Sequence, residues 1–229
     1  MSKLIAVVGD SGTGKSRSLI NLNPKETFLI NVAGKDLPFK GWRKMYTPVT
    51  KENLAGNYFS SDTATEIIAC LNDINENRPH IKTVILDDAQ YIMSMEFMRK
   101  AKVKGYDKFT DVAYDMFSVL DKARSLREDL NVIILTHDEA DRDAFGNLVY
   151  RKIKTVGKMV DQYIKLEGLM TVVLFTEVER NKETKMLEYK FITQSDGTNS
   201  AKSPEGMFES VEIPNDLDFV LNKMEEYYG

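Results

Sequence analysis

The chain has 229 residues with 42% hydrophobic and 29% charged positions and a formal net charge of −4, which fits one globular domain over 1–229 and argues against a surface coated all round by nucleic acid. No apolar run approaches the roughly 18 residues that cross a bilayer, and the opening MSKLIAVVGD lacks signal-peptide flanks, so a cytoplasmic protein with no membrane partner is expected. A single cysteine, Cys70, and two histidines, His80 and His137, exclude an internal disulfide and an all-protein zinc site of the usual spacing.

KLIAVV (3–8) reads as a buried strand ended by glycine, and Lys15 to Leu22 as a helix stopped by Asn23 and Pro24. ETFLINV (26–32) is a second strand, and the stretch from Gly34 to Ser60 carries no clear element. Thr63 to Asn75 reads as a helix opened by the capping box TATE, with Cys70 as an inert thiol among its apolar residues. KTVILDD (82–88) is a third strand, 111–128 a helix, and NVIILT (131–136) a fourth strand. The following DEADRDAFGNLVYRKIKT is polar and expected to be mobile, before a helix over 156–169. TVVLFTEVE and MLEYKFITQ flank the turn RNKETK as a β-hairpin, and a last helix covers 215–228. Strands alternating with helices imply a three-layer α/β/α sandwich with a mainly parallel central sheet, followed by a C-terminal β-hairpin plus helix.

Between the first strand and its helix, GDSGTGKS fits G-x-x-x-x-G-K-[ST] from Gly9 to Ser16. Gly9, Gly12 and Gly14 free the backbone to turn successive N–H groups of Asp10, Ser11, Thr13 and Arg17 toward an anion at the positive end of the helix. Lys15 is placed to reach β- and γ-phosphates, and the Ser16 hydroxyl to ligate Mg²⁺. TVILDD supplies the matching acid. Asp87 is the candidate second Mg²⁺ holder, and Asp88 the group that orients or deprotonates an attacking water. The competing readings are a glycine turn with an exposed lysine, and an acidic residue opening the next helix.

Walker A near the N-terminus, a strand ending ILDD, a fourth strand ending Thr136-His137 and a late AKSPEGMF (201–208) together resemble the short RecA-like, Sak-type ATPases of bacteriophages, grouped with phage AAA-domain nucleotide-binding proteins. The resemblance implies a RecA core without the N-terminal domain or arm of full-length recombinases, ATP and Mg²⁺ as cofactors, and a homo-oligomeric ring or short filament. It also implies a γ-phosphate sensor at Thr136 or His137, and Lys202 reaching a neighbouring subunit's γ-phosphate. Two departures stand out. Pro204 occupies the place of the usual arginine, and Asn31 and Ala33 stand where recombinases carry a catalytic glutamate.

RecA-like folds hold single-stranded DNA on loops after the Walker B and sensor strands. The first slot contains Arg99, Lys100, Lys102, Lys104, Tyr106 and Lys108, and the second Arg151, Lys152 and Lys154. Basic side chains there would neutralise phosphates while aromatics stack on bases; the alternative is a solvated charged face. The resemblance therefore implies a DNA-stimulated ATPase that assists phage recombination, annealing or replication, with a single-strand-binding or replication protein as a further partner. A helicase-loader-like ATPase acting on a protein, and a nucleotide-binding switch with negligible turnover, are the alternatives.

Overall fold

Alternate residues of β1 (Lys3–Val8) belong to two separate cores: Leu4, Ala6 and Val8 pack on one side of the sheet, Ile5 and Val7 on the other. This period of two, with every one of those side chains buried, is what a strand covered on both faces requires. The computed structural model describes residues 1–105, 107–156 and 165–229.

The remaining strands are β2 (Thr27–Asn31), β3 (Tyr58–Phe59), β4 (Thr83–Asp87), β5 (Asn131–Thr136), β6 (Asp138–Arg142), β7 (Leu148–Ile153), β8 (Val172–Arg180), β9 (Leu187–Ile192) and β10 (Glu212–Pro214). The main sheet has the order β10-β9-β8-β1-β5-β4-β2-β3, and β6 and β7 form a separate two-stranded sheet. β8, β1, β5, β4, β2 and β3 run parallel, while β9 is antiparallel to both β8 and β10.

The helices are α1 (Trp42–Met45), α2 (Ala64–Asn77), α3 (Gln90–Arg99), α4 (Asp107–Arg124) and α5 (Leu217–Tyr228). Ile67, Leu71 and Ile74 of α2, Ile92 and Met93 of α3, and Val112, Met116, Val119 and Leu120 of α4 cover one face of the sheet. Leu217, Val220 and Met224 of α5 cover the other, with Leu19 from a 3-10 turn and Leu22, Leu37 and Tyr46 from irregular chain. The α/β/α arrangement predicted from the sequence is therefore present, with one layer only partly helical.

Insertion of β5 between β1 and β4 has a functional consequence. Val8 stands opposite Thr136 and Asn31 opposite Asp87, so the chain leaving β1, β2, β4 and β5 emerges along one carboxyl edge. Ligands of open parallel sheets bind at such an edge.

Several expectations are corrected. Lys15 to Leu22 is not an α-helix: only a 3-10 turn, Ser16–Leu19, forms. Ser18 competes with regular helical pairing, since its hydroxyl donates to the Lys15 carbonyl at 2.5 Å, and Pro24 follows closely. The TATE capping box is not used. Thr63 is the N-cap without a side-chain bond; instead the Ser61 hydroxyl accepts from Thr63 N–H at 3.0 Å and donates to Glu66 Oε2 at 2.6 Å. The helix expected over 111–128 is displaced to Asp107–Arg124.

The polar stretch after β5 is the β6–β7 hairpin, paired from Asp138↔Ile153 to Arg142↔Leu148. Most of its side chains face solvent, so it has no apolar alternation to announce it. The predicted C-terminal hairpin exists as β8 and β9 but extends the central sheet rather than standing apart. Most of the helix expected over 156–169 lies outside the described residues; its last part, Leu166–Leu169, is a 3-10 turn. Trp42 packs at 5.8 Å from Tyr58 beside the second core, and burial pushes the Cys70 thiol up to about 12, in keeping with an inert role.

Candidate nucleotide-binding site

The turn that follows β1 is shaped by close approach. A Cβ on Gly9 would stand 1.7 Å from Thr176 Oγ1, and Gly12 and Gly14 have φ of 79° and 98°, the left-handed region that suits glycine. Thr176 Oγ1 on β8 lies 2.6 Å from Thr13 Oγ1, and Thr13 Oγ1 also donates to the Asp10 carbonyl at 2.7 Å. The Asp10 carboxylate accepts the Ser11 N–H at 2.7 Å. β8 thus buttresses the turn, a contact no local motif displays.

Lys15 is 6% exposed. Its ammonium donates to the carbonyls of Gly9 and Asp10 at 2.8 and 2.9 Å, folded over the hollow of the turn. Burial draws its pKa below the usual lysine range, with Asp88 opposing. A phosphate offers this ammonium a charged acceptor, which is the stronger partner.

Ser16 Oγ donates to Asp87 Oδ1 at 2.9 Å, so the two predicted Mg²⁺ holders meet. Asp87 is fully buried, and its Oδ2 has no hydrogen-bond partner among the described residues. Burial and then the neighbouring Asp88 carboxylate push it up to about 6. A buried carboxylate oxygen without a donor, bonded through its other oxygen to a serine hydroxyl, fits a divalent cation held between hard oxygen ligands.

Asp88 also is buried, and it turns the chain at the end of β4 with φ 59°, a conformation that aspartate tolerates better than most residues. The Lys35 ammonium contacts its carboxylate. His137 stands between two acids, its Nε2 3.8 Å from Asp88 Oδ1 and its Nδ1 4.0 Å from Asp10 Oδ1. Burial, then the Lys15 charge, lower its pKa below the usual histidine value, so the ring is neutral at pH 7. Thr136 Oγ1 is buried without a hydrogen-bond partner among the described residues.

Ser11, Gly12, Gly14, Lys15, Ser16, Arg17, Asp88 and His137 line one cavity of about 270 Å³, together with Lys35, Asp36, Pro38 and Tyr189. Sequence reasoning missed Lys35, Tyr189 and Thr176. Lys35 lies beyond the position searched for a catalytic glutamate, and Tyr189 and Thr176 arrive from strands over 150 residues away along the chain, by pairing of β8 with β1 and β9 with β8. The Arg17 guanidinium sits 5.0 Å from the Tyr189 ring centroid, where a flat ligand group finds both a cation and an aromatic face.

Expectations that depended on a helix dipole at the phosphates lose that element, because four residues of 3-10 turn supply N–H groups but little macrodipole. Lys202 lies outside this cavity. Its backbone pairs with Val173, and its side chain lines a different hollow with Tyr150, Lys152 and Lys165.

The predicted nucleic-acid residues are divided by the fold. Arg99 ends α3 and contacts Asp62 and Glu96; Lys100 pairs with Asp111 at 2.7 Å. Lys108 lies in the first turn of α4, its ammonium over the Phe97 and Phe109 rings. Arg151 is bonded to Asp138 at 2.8 Å and lies over Phe175. Lys152 approaches Glu139 at 3.8 Å. Lys102, Lys104 and Lys154 are exposed, and Tyr106 lies outside the described residues. Arg99 and Lys108 therefore lie on helices α3 and α4, and not in one long loop.

No curated protein matches the sequence. Among solved structures, the chain is similar to the KaiC-like protein PH0186 from the archaeon Pyrococcus horikoshii OT3, with 11% identity over 83% of this chain and 77% of that one and a TM-score of 0.44. It is also similar to the flagellar accessory protein FlaH from Methanocaldococcus jannaschii, with 13% identity over 92% and 83% and a TM-score of 0.45. Among the described residues no helix is long and apolar enough to cross a membrane. A family model described as an AAA domain matches residues 2–204, and the chain belongs to that family of P-loop ATPases.

Proposed function

We propose that the protein binds ATP with Mg²⁺ at the carboxyl edge of its sheet, hydrolyses it, and responds to single-stranded DNA carried beside that edge. The observation that carries the nucleotide reading is the 2.9 Å bond from Ser16 to Asp87 beside a buried Lys15. The backbone of Gly9 to Arg17 and the Lys15 ammonium bind the phosphates; Ser16 and Asp87 hold the ion, which when bound offsets charge on the β- and γ-oxygens. Asp88 accepts a proton from the attacking water, and neutral His137 orients that water or senses the terminal phosphoryl group.

Support for the DNA reading is topological. α3 and the β6–β7 hairpin both follow strands that end at the nucleotide edge, and Lys102 and Lys104, after α3, and Lys154, after the hairpin, are exposed and able to meet phosphates. The protein acts as a ring or short filament of RecA-like cores, with Lys202 approaching the neighbouring subunit's nucleotide, in phage recombination, annealing or replication alongside a single-strand-binding or replication protein. Phosphate release across an oligonucleotide titration tests this, with Lys15→Ala as the inactive control. Stimulation is expected; hydrolysis that ignores DNA would remove the DNA role.

A protein partner is the second reading, favoured by the β6–β7 hairpin. Phe145 at its tip is 91% exposed, and Leu148 and Val149 are exposed as well, an apolar end that suits a protein surface. Stimulation of turnover only by a replication protein would select it.

A further inference from the structure

Lys35 belongs to neither Walker motif, yet the backbone that presents it is held by a buried side chain. Asn31 ends β2 and is fully buried. Its side-chain Oδ1 accepts the Gly34 N–H at 2.9 Å, and its Nδ2 donates to the Lys35 carbonyl at 2.6 Å. The Ser60 hydroxyl donates to the Asn31 carbonyl at 3.0 Å. Gly34 completes the turn at φ 67°, a conformation that strains residues with a Cβ. One amide thus clamps both ends of the segment that presents Lys35, and Lys35 is anchored by its backbone while its side chain stays movable.

The side chain itself is 52% exposed, whereas the Asp88 carboxylate it contacts is 1% exposed. An ion pair with one buried and one half-solvated member can open from the solvated side. Both lysines of the cavity are engaged by internal acceptors: Lys15 by two backbone carbonyls, Lys35 by Asp88. Lys35 and Lys15 line the same cavity as Gly12, Gly14 and Ser16. A terminal phosphoryl group entering it adds negative charge beside two buried carboxylates, and Lys35, in contact with one of them, is placed to offset it together with Lys15 and Arg17.

We propose that Lys35 is a second phosphate-gripping lysine acting within the same subunit: it neutralises Asp88 when the cavity holds no triphosphate, and turns to the terminal phosphoryl group when one binds, releasing Asp88 to the water. Asp88 is thereby masked until nucleotide arrives, so Lys35 couples binding to exposure of the base. This inference rests on the reading of the cavity as a nucleotide site.

Equilibrium calorimetry with Mg²⁺ and either ATPγS or ADP tests it on wild type, Lys35→Met and Lys35→Arg, each first checked by thermal melting. ADP lacks the group Lys35 is proposed to hold. Lys35→Met should weaken ATPγS by about 10- to 100-fold, the range of a charge-assisted hydrogen bond, and leave ADP unchanged; Lys35→Arg should recover part of the loss. Equal weakening of both nucleotides, or no weakening of either, would overturn the proposal while leaving the nucleotide site standing. Wild type that binds neither would overturn the site and the proposal together.

Discussion

Ser16 and Asp87 lie 71 residues apart in the chain, and a 2.9 Å hydrogen bond joins them across the gap between the turn after β1 and the end of β4. The bond exists because β5 spaces β1 from β4 and the three strands run in register. It fixes a serine hydroxyl and a buried carboxylate on one point before any ligand arrives, which is the preorganisation an ion site needs.

Ser16→Ala should therefore lower ATP affinity in Mg²⁺ by about 10-fold or more, the scale of a hydrogen bond to a charged group. In EDTA the same variant should bind ATP as wild type does. Titration of a fluorescent ATP analogue in the two buffers checks this; equal losses in both would place Ser16 in the fold and not at the ion.

Acidity supplies a second prediction. Burial and then Asp88 push Asp87 up to about 6 from an ordinary 3.8, so the folded protein keeps a proton that the unfolded chain releases. The stabilising share of this group is whole below about pH 4 and is lost as pH rises through about 6. Asp73 and Asp129, held below the usual carboxylate range by hydrogen bonds from Arg78 and Lys82, act in the opposite sense and cancel when variants are compared. Without nucleotide or metal, the stability of Asp87→Asn minus that of wild type should grow by up to about 3 kcal/mol between pH 4 and pH 7. Urea unfolding at stepped pH measures it, and a difference that stays flat would contradict the shift.

Gly9→Ala should destabilise the protein by about 1–3 kcal/mol, the ordinary cost of an overpacked site, because its Cβ meets Thr176 Oγ1 at 1.7 Å and Thr13 Oγ1 at 2.8 Å. Adding Thr176→Ala removes the nearest atom and should recover part of that loss in a double-mutant cycle. Additive effects would show that β8 does not buttress the turn.

The basic residues separate into structural and exposed groups. Arg151→Ala should cost about 1–3 kcal/mol of stability by leaving Asp138, which is 8% exposed, without its cation. Lys102→Ala and Lys104→Ala should leave the melting temperature unchanged while each reduces the salt slope of oligonucleotide binding by about 1. Anisotropy across a salt series reads the second effect; slopes equal to that of wild type would take these lysines out of the DNA surface.

Much of this architecture was legible from residues alone. β1 and β5 fall on the predicted boundaries of 3–8 and 131–136, since both are short apolar runs buried on two faces and bounded by glycine or polar residues. GDSGTGKS and ILDD named the phosphate and ion residues because that chemistry admits few residue types at fixed spacing. Less was legible in the segment after Lys15, where a helical prediction met serines that bond their own backbone, and in the β6–β7 hairpin, whose exposed strands lack a buried face.

The amino-acid order by itself determined the glycine turn, its lysine, the paired acids and the alternation of strands with helices, all of them local patterns governed by backbone sterics and side-chain burial. Tertiary structure alone decided that Lys35 meets Asp88, that Thr176 and Tyr189 wall the turn, and that Arg99, Lys100 and Arg151 pair with neighbouring carboxylates. These are contacts between distant segments, and they depend on strand order and register, which no stretch of a single strand encodes.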